Sequence, residues 1–193
     1  MFATANGAQE FHRFGQVPSQ LRIGELLATA PDDLKSLGDI KWIVLDEDFW
    51  EEGVHQILRR LGPDTAVRNE PGAWDIFLGH SRRSSEATTV VAALDGLFTD
   101  EDYGVWLDVK MKDCSTAAMK EGVKHSKLFI ALVTGPIVDK DRPDVDPVNN
   151  AYFKRWFCME ELRWAIETGI LIQPVIRMED VDRKDEFLAL APE

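Results

Sequence analysis

One carboxylate is out of place on a helix that the sequence predicts over Ala151–Thr168. With successive residues turned by about 100°, Phe157, Cys158, Leu162, Trp164 and Ala165 share one apolar arc, and Glu161 lies inside it. Its neighbour Glu160 falls on the polar side with Arg163 and Glu167, where a solvated ion pair is the ordinary role. A carboxylate among apolar side chains loses hydration, which tends to raise its pKa, and it is tolerated mainly where a partner or a ligand satisfies it. Functional sites are enriched in such groups. On pattern alone two roles stay open for Glu161: a bond to a backbone amide or an arginine that steadies the fold, or work on a ligand. Cys158, beside it on the arc, reads as a small buried residue, because no histidine is placed by sequence to activate it as a nucleophile. Cys114 reads as a loop residue.

The elements that would position Glu161 alternate between strand and helix. Ile40–Leu45 is a β-favouring run, and Trp50, Val54, Ile57, Leu58 and Leu61 recur at helical spacing across Asp46–Gly62, with Gly62 as the stop. Pro63–Gly72, with its prolines, glycines and charges, reads as a linker. Strands follow at Trp74–Leu78, Val105–Val109, Leu128–Val133 and Ile170–Ile176, the last interrupted by Pro174. Between them lie a helix capped by Ser84 or Ser85, a short helix capped by Ser115, and the Glu161 helix ended by Gly169. Alternation of this kind predicts an α/β fold, a flavodoxin-like parallel sheet with helices on both faces. Ligands of such sheets bind beyond the carboxyl ends of the strands, which directs attention to Gly79–Ser85, Val109–Ser115 and Thr134–Asn150. None of these loops carries a GxGxxG or a GKS/T motif, which argues against a dinucleotide-binding dehydrogenase and a P-loop NTPase.

Bulk properties narrow the class further. The 193 residues suit one domain with an appendage, and a hydrophobic share of 45% suits a packed core. A net charge of −12 works against non-specific binding to nucleic acid or an anionic membrane. Two cysteines in unlike contexts, without a CxxC pair or a cluster with the four histidines, predict no metal centre and a reduced, cytoplasmic setting. Met1–Gln20 lacks an apolar run and reads as neither signal peptide nor membrane anchor.

Three segments, AWDIFLGHSRRSS, VWLDVKMKDCSTAAMKEGVKHSKLFIALVTG and WFCMEELRWAIETGILIQPVI, follow one another in the order and spacing of TIR (Toll/interleukin-1 receptor) domains. The chain resembles that family from Trp74 to about Met178. Asp75, Ile76, Phe77 and Leu78 fit the opening strand, while Gly79 and His80 take the places of a serine and an aromatic residue. Phe157, Cys158, Glu161 and Leu162 match the aromatic-Cys-x-x-Glu-Leu segment position by position. The loop matching the family's BB loop, Lys110, Met111, Lys112, Asp113, Cys114 and Ser115, lacks the glycine or proline often found there. The resemblance divides the chain into an N-terminal extension with one strand and one helix over 1–72 and a TIR domain over 73–193, whose end at Glu193 comes before the family's usual last helix.

The resemblance implies an enzyme that cleaves NAD+ at the nicotinamide glycosidic bond, with NAD+ as substrate and no cofactor. Glu161 matches the catalytic glutamate. His80, Ser81, Arg82, Arg83, Phe157 and Cys158 then lie at the substrate: the guanidinium groups suit the pyrophosphate, and His80 and Phe157 can stack on a base. It also implies self-assembly through TIR–TIR contacts, with the BB loop of one copy against the site of another, in a signalling or defence response such as innate immunity or cell death. The competing expectation is a TIR adaptor that acts by such contacts without catalysis. A nucleoside-processing enzyme of related architecture needs a second acid or a nucleophile near Glu161, and the sequence points to none.

Overall fold

The computed structural model of the protein describes residues 37, 40–46, 50–61, 72–139 and 141–192, with backbone alone at 50 and 51. The expected features in Met1–Gln20, at Gly62 and in all but the last residue of Pro63–Gly72 lie outside them. Strand β1 (Ile43–Leu45) leads to helix α1 (Trp50–Leu61), and β2 (Trp74–His80) to α2 (Ser85–Asp100). The short β3 (Val105–Trp106) precedes α3 (Thr116–Lys124), β4 (Ser126–Leu132), α4 (Trp156–Thr168), β5 (Leu171–Arg177) and α5 (Lys184–Leu188).

Helix ends follow local chemistry. The Ser84 hydroxyl accepts from the Ala87 amide at 3.0 Å and that of Ser115 from the Ala118 amide at 3.2 Å, so each satisfies a first-turn donor that the helix leaves free. Gly169 closes α4 at φ 70°, a left-handed conformation that suits a residue without Cβ.

Three expectations about elements change. The strand expected over Val105–Val109 stops at Trp106, because Asp108–Lys110 coil into a 3-10 turn in which the Lys110 amide bonds the Leu107 carbonyl at 2.9 Å. The helix expected from Ala151 begins at Trp156. Before it, Tyr152–Lys154 form a separate 3-10 turn, pinned where the Tyr152 amide donates to the Thr134 carbonyl at 2.9 Å, and extended Arg155 breaks the path. Pro174 does not interrupt β5, which passes opposite Ala131. The Gln173 amide group reaches the Lys41 carbonyl at 2.9 Å and supplies a cross-link beside a residue that cannot donate to the ladder.

Among the described residues the sheet has five strands, all parallel, in the order β1-β5-β4-β2-β3. Counted from β2, this is consistent with the flavodoxin-like order 2-1-3-4-5, with one change: the fifth place is filled from the start of the chain. Ile43, Val44 and Leu45 pair with Val175, Ile176 and Arg177, so the strand and helix expected in an N-terminal extension belong to the same sheet and core. One face buries Val54 and Ile57 of α1 with Val90, Leu94 and Phe98 of α2. The other buries Met119 and Val123 of α3, Leu162 and Ala165 of α4 and Phe187 of α5, around Phe77 and Phe129. Phe187 fills the space beside Gly135 and leaves none there for a Cβ. Among the described residues no helix is long and apolar enough to cross a membrane.

Candidate active site

From β2 the chain goes to β3 on one side and, through α3, to β4 on the other, so the sheet's switch point lies between the carboxyl ends of β2 and β4. Alternation along β2 turns Phe77 toward α3 and α4, and Gly79 follows two residues later on that face. There α4 brings in Glu161. A Cβ built on Gly79 would stand 3.3 Å from Glu161 Oε2 and 2.6 Å from Phe129 Cζ, so the carboxylate lies directly against the strand because this residue has no side chain. Gly79→Ala is expected to cost about 1–3 kcal/mol by overpacking, read as a lower melting temperature, and to displace Glu161 along with the Phe129 ring.

Glu161 is 7% exposed, and its Oε2 has no hydrogen-bond partner among the described residues. Neither the backbone amide nor the arginine of the structural alternative meets that oxygen. Glu160 instead pairs with Arg163 on the outer side, as expected. Burial first, and the charge of Asp108 second, push the Glu161 carboxyl well above the usual carboxylate range.

Asp108 is the second acid that the sequence reading missed. It lies two residues beyond β3 at 9% exposure, with Oδ2 3.3 Å from Arg82 Nε and a buried Oδ1 without a partner. Its charge acts on His80 and Cys158 as well as on Glu161. His80 ends β2 at 6% exposure; burial pulls the imidazole down, Asp108 opposes this, and Nε2 is unpartnered. Tyr152 and Thr134, also buried, have unpartnered hydroxyls, and burial followed by the charges of Cys158 and Glu161 raises the phenol. Of the buried side-chain atoms lacking a partner among the described residues, only Gln173 Oε1 lies away from this edge of the sheet. Buried polar groups ordinarily find partners, so five such atoms at one edge make it the candidate site.

The other expected residues divide. Cys158 is buried with its thiol donating to the His80 carbonyl at 3.4 Å, and burial, then the Glu161 charge, raises that thiol well above its ordinary value, as suits a protonated packing residue. Ser81 is tied down by donating its hydroxyl to the Asn150 carbonyl at 2.9 Å. Arg82 joins the site through Asp108, whereas Arg83 is drawn toward Asp139, 3.5 Å away. Phe157, expected on the apolar arc, is 44% exposed because α4 starts only at Trp156; the two rings meet edge to face at 4.7 Å.

In the loop after β3, Lys110 forms an ion pair with Asp95 of α2, and Met111 packs on the core. Lys112 is exposed, and Asp113 accepts from the Ser115 amide at 2.8 Å. The Cys114 thiol lies 3.0 Å from the Asp108 carbonyl, which links this loop to the site through the backbone.

Asp108 had a legible signal, an acid inside the apolar run VWLDV. Tyr152 and Thr134 had none, since they meet only where the long loop folds back on β4. Among the described residues no group of three histidine, cysteine or acidic side chains is placed to hold a metal ion. The arrangement can accept hydrogen bonds from a polyhydroxyl group and set negative charge against a developing cation in a dry setting. Comparisons with protein-family models, with curated proteins and with solved structures find no match for this chain.

Proposed function

We propose that the chain is a TIR-type enzyme that hydrolyses NAD+ at the nicotinamide glycosidic bond, working when self-assembled in a signalling or defence response. One observation carries the reading: Glu161, a buried acid whose Oε2 has no partner among the described residues, lies at the switch point of a parallel sheet, where such folds bind ligands. It is also the residue selected by the resemblance of Phe157, Cys158, Glu161 and Leu162 to the family's catalytic segment.

Nicotinamide in NAD+ is a cationic leaving group and needs no general acid. Glu161 accepts hydrogen bonds from the hydroxyls of the adjacent ribose and stabilises the positive charge that grows as the bond breaks. Arg82 is more than half exposed and free to turn toward the pyrophosphate, and the exposed Phe157 offers a face for a base. Water completes the reaction to give ADP-ribose, or an adenine nitrogen gives a cyclic product.

The test incubates concentrated or crowded protein with NAD+ and measures nicotinamide release for the wild type, Glu161→Ala and Glu160→Ala. Activity is expected to vanish in the first variant only. Equal rates in all three end the catalytic assignment, and an inert wild type in the assembled state favours the adaptor. Asp108 favours a second reading, since it supplies the acid that a broader N-ribosyl hydrolase requires near Glu161. Hydrolysis of uncharged nucleosides at rates matching NAD+ would select that reading.

A further inference from the structure

Hydrolysis leaves one proton without a destination. Water that adds to a ribosyl cation must lose a proton, and in the NAD-cleaving reading, on which this inference rests, Glu161 is engaged with the ribose hydroxyls. We propose that Asp108 is the base that takes this proton, so that Asp108 sets the choice between water and other nucleophiles at the ribosyl carbon. Its Oδ1 is buried and has no partner among the described residues, while its Oδ2 faces Arg82 at 3.3 Å. Its charge acts on Glu161 and Cys158 of α4 and on His80 of β2. The remaining ionisable groups around it are poor alternatives. Burial keeps the Cys158 thiol and the Tyr152 phenol protonated. Arg82 carries no lone pair for the task. Among the described residues His80, whose Nε2 has no partner there, is the competitor.

The step balances as follows. The bond from ribose C1′ to nicotinamide breaks and its electron pair goes to the ring nitrogen, which leaves neutral. A lone pair of water forms the new C1′–O bond. One proton of that water moves to Asp108 Oδ1 and then to solvent, so NAD+ and water give nicotinamide, ADP-ribose and a proton. When Arg82, whose side chain is 62% exposed, turns to the pyrophosphate, it releases Asp108 Oδ2 as substrate arrives.

A neutral pyridine such as 3-acetylpyridine separates the steps, because it attacks C1′ with no proton to lose. Assembled protein is given NAD+ and this pyridine, and ADP-ribose is measured beside the exchanged dinucleotide for the wild type, Asp108→Asn, Asp108→Glu and His80→Gln. Asp108→Asn is expected to lose hydrolysis by about 10²-fold while exchange at saturating pyridine stays within a few-fold. Asp108→Glu keeps a carboxylate and recovers part of the hydrolysis, so the partition remains readable even if Asp108→Asn fails to fold. His80→Gln is expected to change hydrolysis and exchange together, so that their ratio stays that of the wild type. Equal loss of both reactions in Asp108→Asn and Asp108→Glu, or a partition that shifts in His80→Gln instead, overturns the assignment while NAD cleavage stands. A wild type inert in both reactions overturns the NAD-cleaving reading and this one with it.

Discussion

Glu161→Gln is expected to lower nicotinamide release by about 10²–10³-fold, the usual cost of removing a preorganised group that meets transition-state charge, while the protein becomes harder to melt at neutral pH. Glutamine keeps the shape and gives up the charge. In the wild type, burial and then Asp108 raise the Glu161 carboxyl well above its ordinary range. Between the unfolded value, about 4.3, and the raised one, the folded state binds a proton that the unfolded chain has released. Stability therefore falls as pH rises through that interval. The favourable contribution is complete below the ordinary glutamate value and is lost as pH rises through the folded one. Glutamine has nothing to lose, so the two proteins are expected to converge in acid and separate toward neutrality, with the variant the more stable. For a chain of this size each kcal/mol moves the melting temperature by roughly 2–4 °C. Activity carries the same sign: the charged carboxylate is the working form, so nicotinamide release is expected to climb as pH passes through the raised value. Melting curves from pH 4 to 8 check the first half and the pH–rate profile the second. A glutamine variant that melts well below the wild type at pH 7.5 would mark Glu161 as a paired structural acid. The combination of lost activity and gained stability is the expected mark of a site kept strained for function.

A fragment beginning at residue 72 is expected not to fold. It would lack β1, leaving Val175 and Ile176 on an open sheet edge, and it would lack α1, whose Val54 and Ile57 share a core with Val90, Leu94 and Phe98 of α2. Ile43, Leu45, Val54 and Ile57 are each no more than 3% exposed. At about 1.5–3 kcal/mol for each buried aliphatic side chain, their loss rivals the whole net stability of a domain, about 5–15 kcal/mol. Ile57→Ala alone is expected to cost about 2–5 kcal/mol. Circular dichroism and limited proteolysis of the fragment give the answer, and a cooperative melt near that of the intact protein would restore residues 73–193 as a unit of their own.

Periodicity carried far in this sequence. The alternation of strands and helices, the serine caps at Ser84 and Ser115, the glycine stop at Gly169 and the burial of Glu161 were all readable, because each depends on a few neighbouring residues. What escaped depends on contacts between distant residues. Nothing local to Ile43–Leu45 indicates that it pairs with a strand more than 100 residues later, so it looked like an appendage. Asp108 is an acid in an apolar run, which in isolation reads as one polar residue in a strand. Only the turn after Trp106 sets it against Arg82 and beside Glu161. Phe157 was misplaced for a related reason: a helix wheel fixes angles and not where the helix begins, and the Tyr152–Thr134 bond moves that start to Trp156, beyond the covered part of the sheet.

The position of β1 also bears on how the chain reaches its native state. The first described strand pairs only with the last, and Lys41 meets Gln173 across 132 residues. Contacts so distant in sequence form slowly, because a long loop must close before they return any energy. The neighbouring pairs β2–β3 and β2–β4 close much shorter loops and can organise first. During synthesis β1 and α1 emerge early and wait with their apolar faces open until β5 has been made, the interval in which such a chain most readily aggregates or recruits a chaperone. Sealing the sheet with its earliest described strand makes completion of the fold conditional on the last described one.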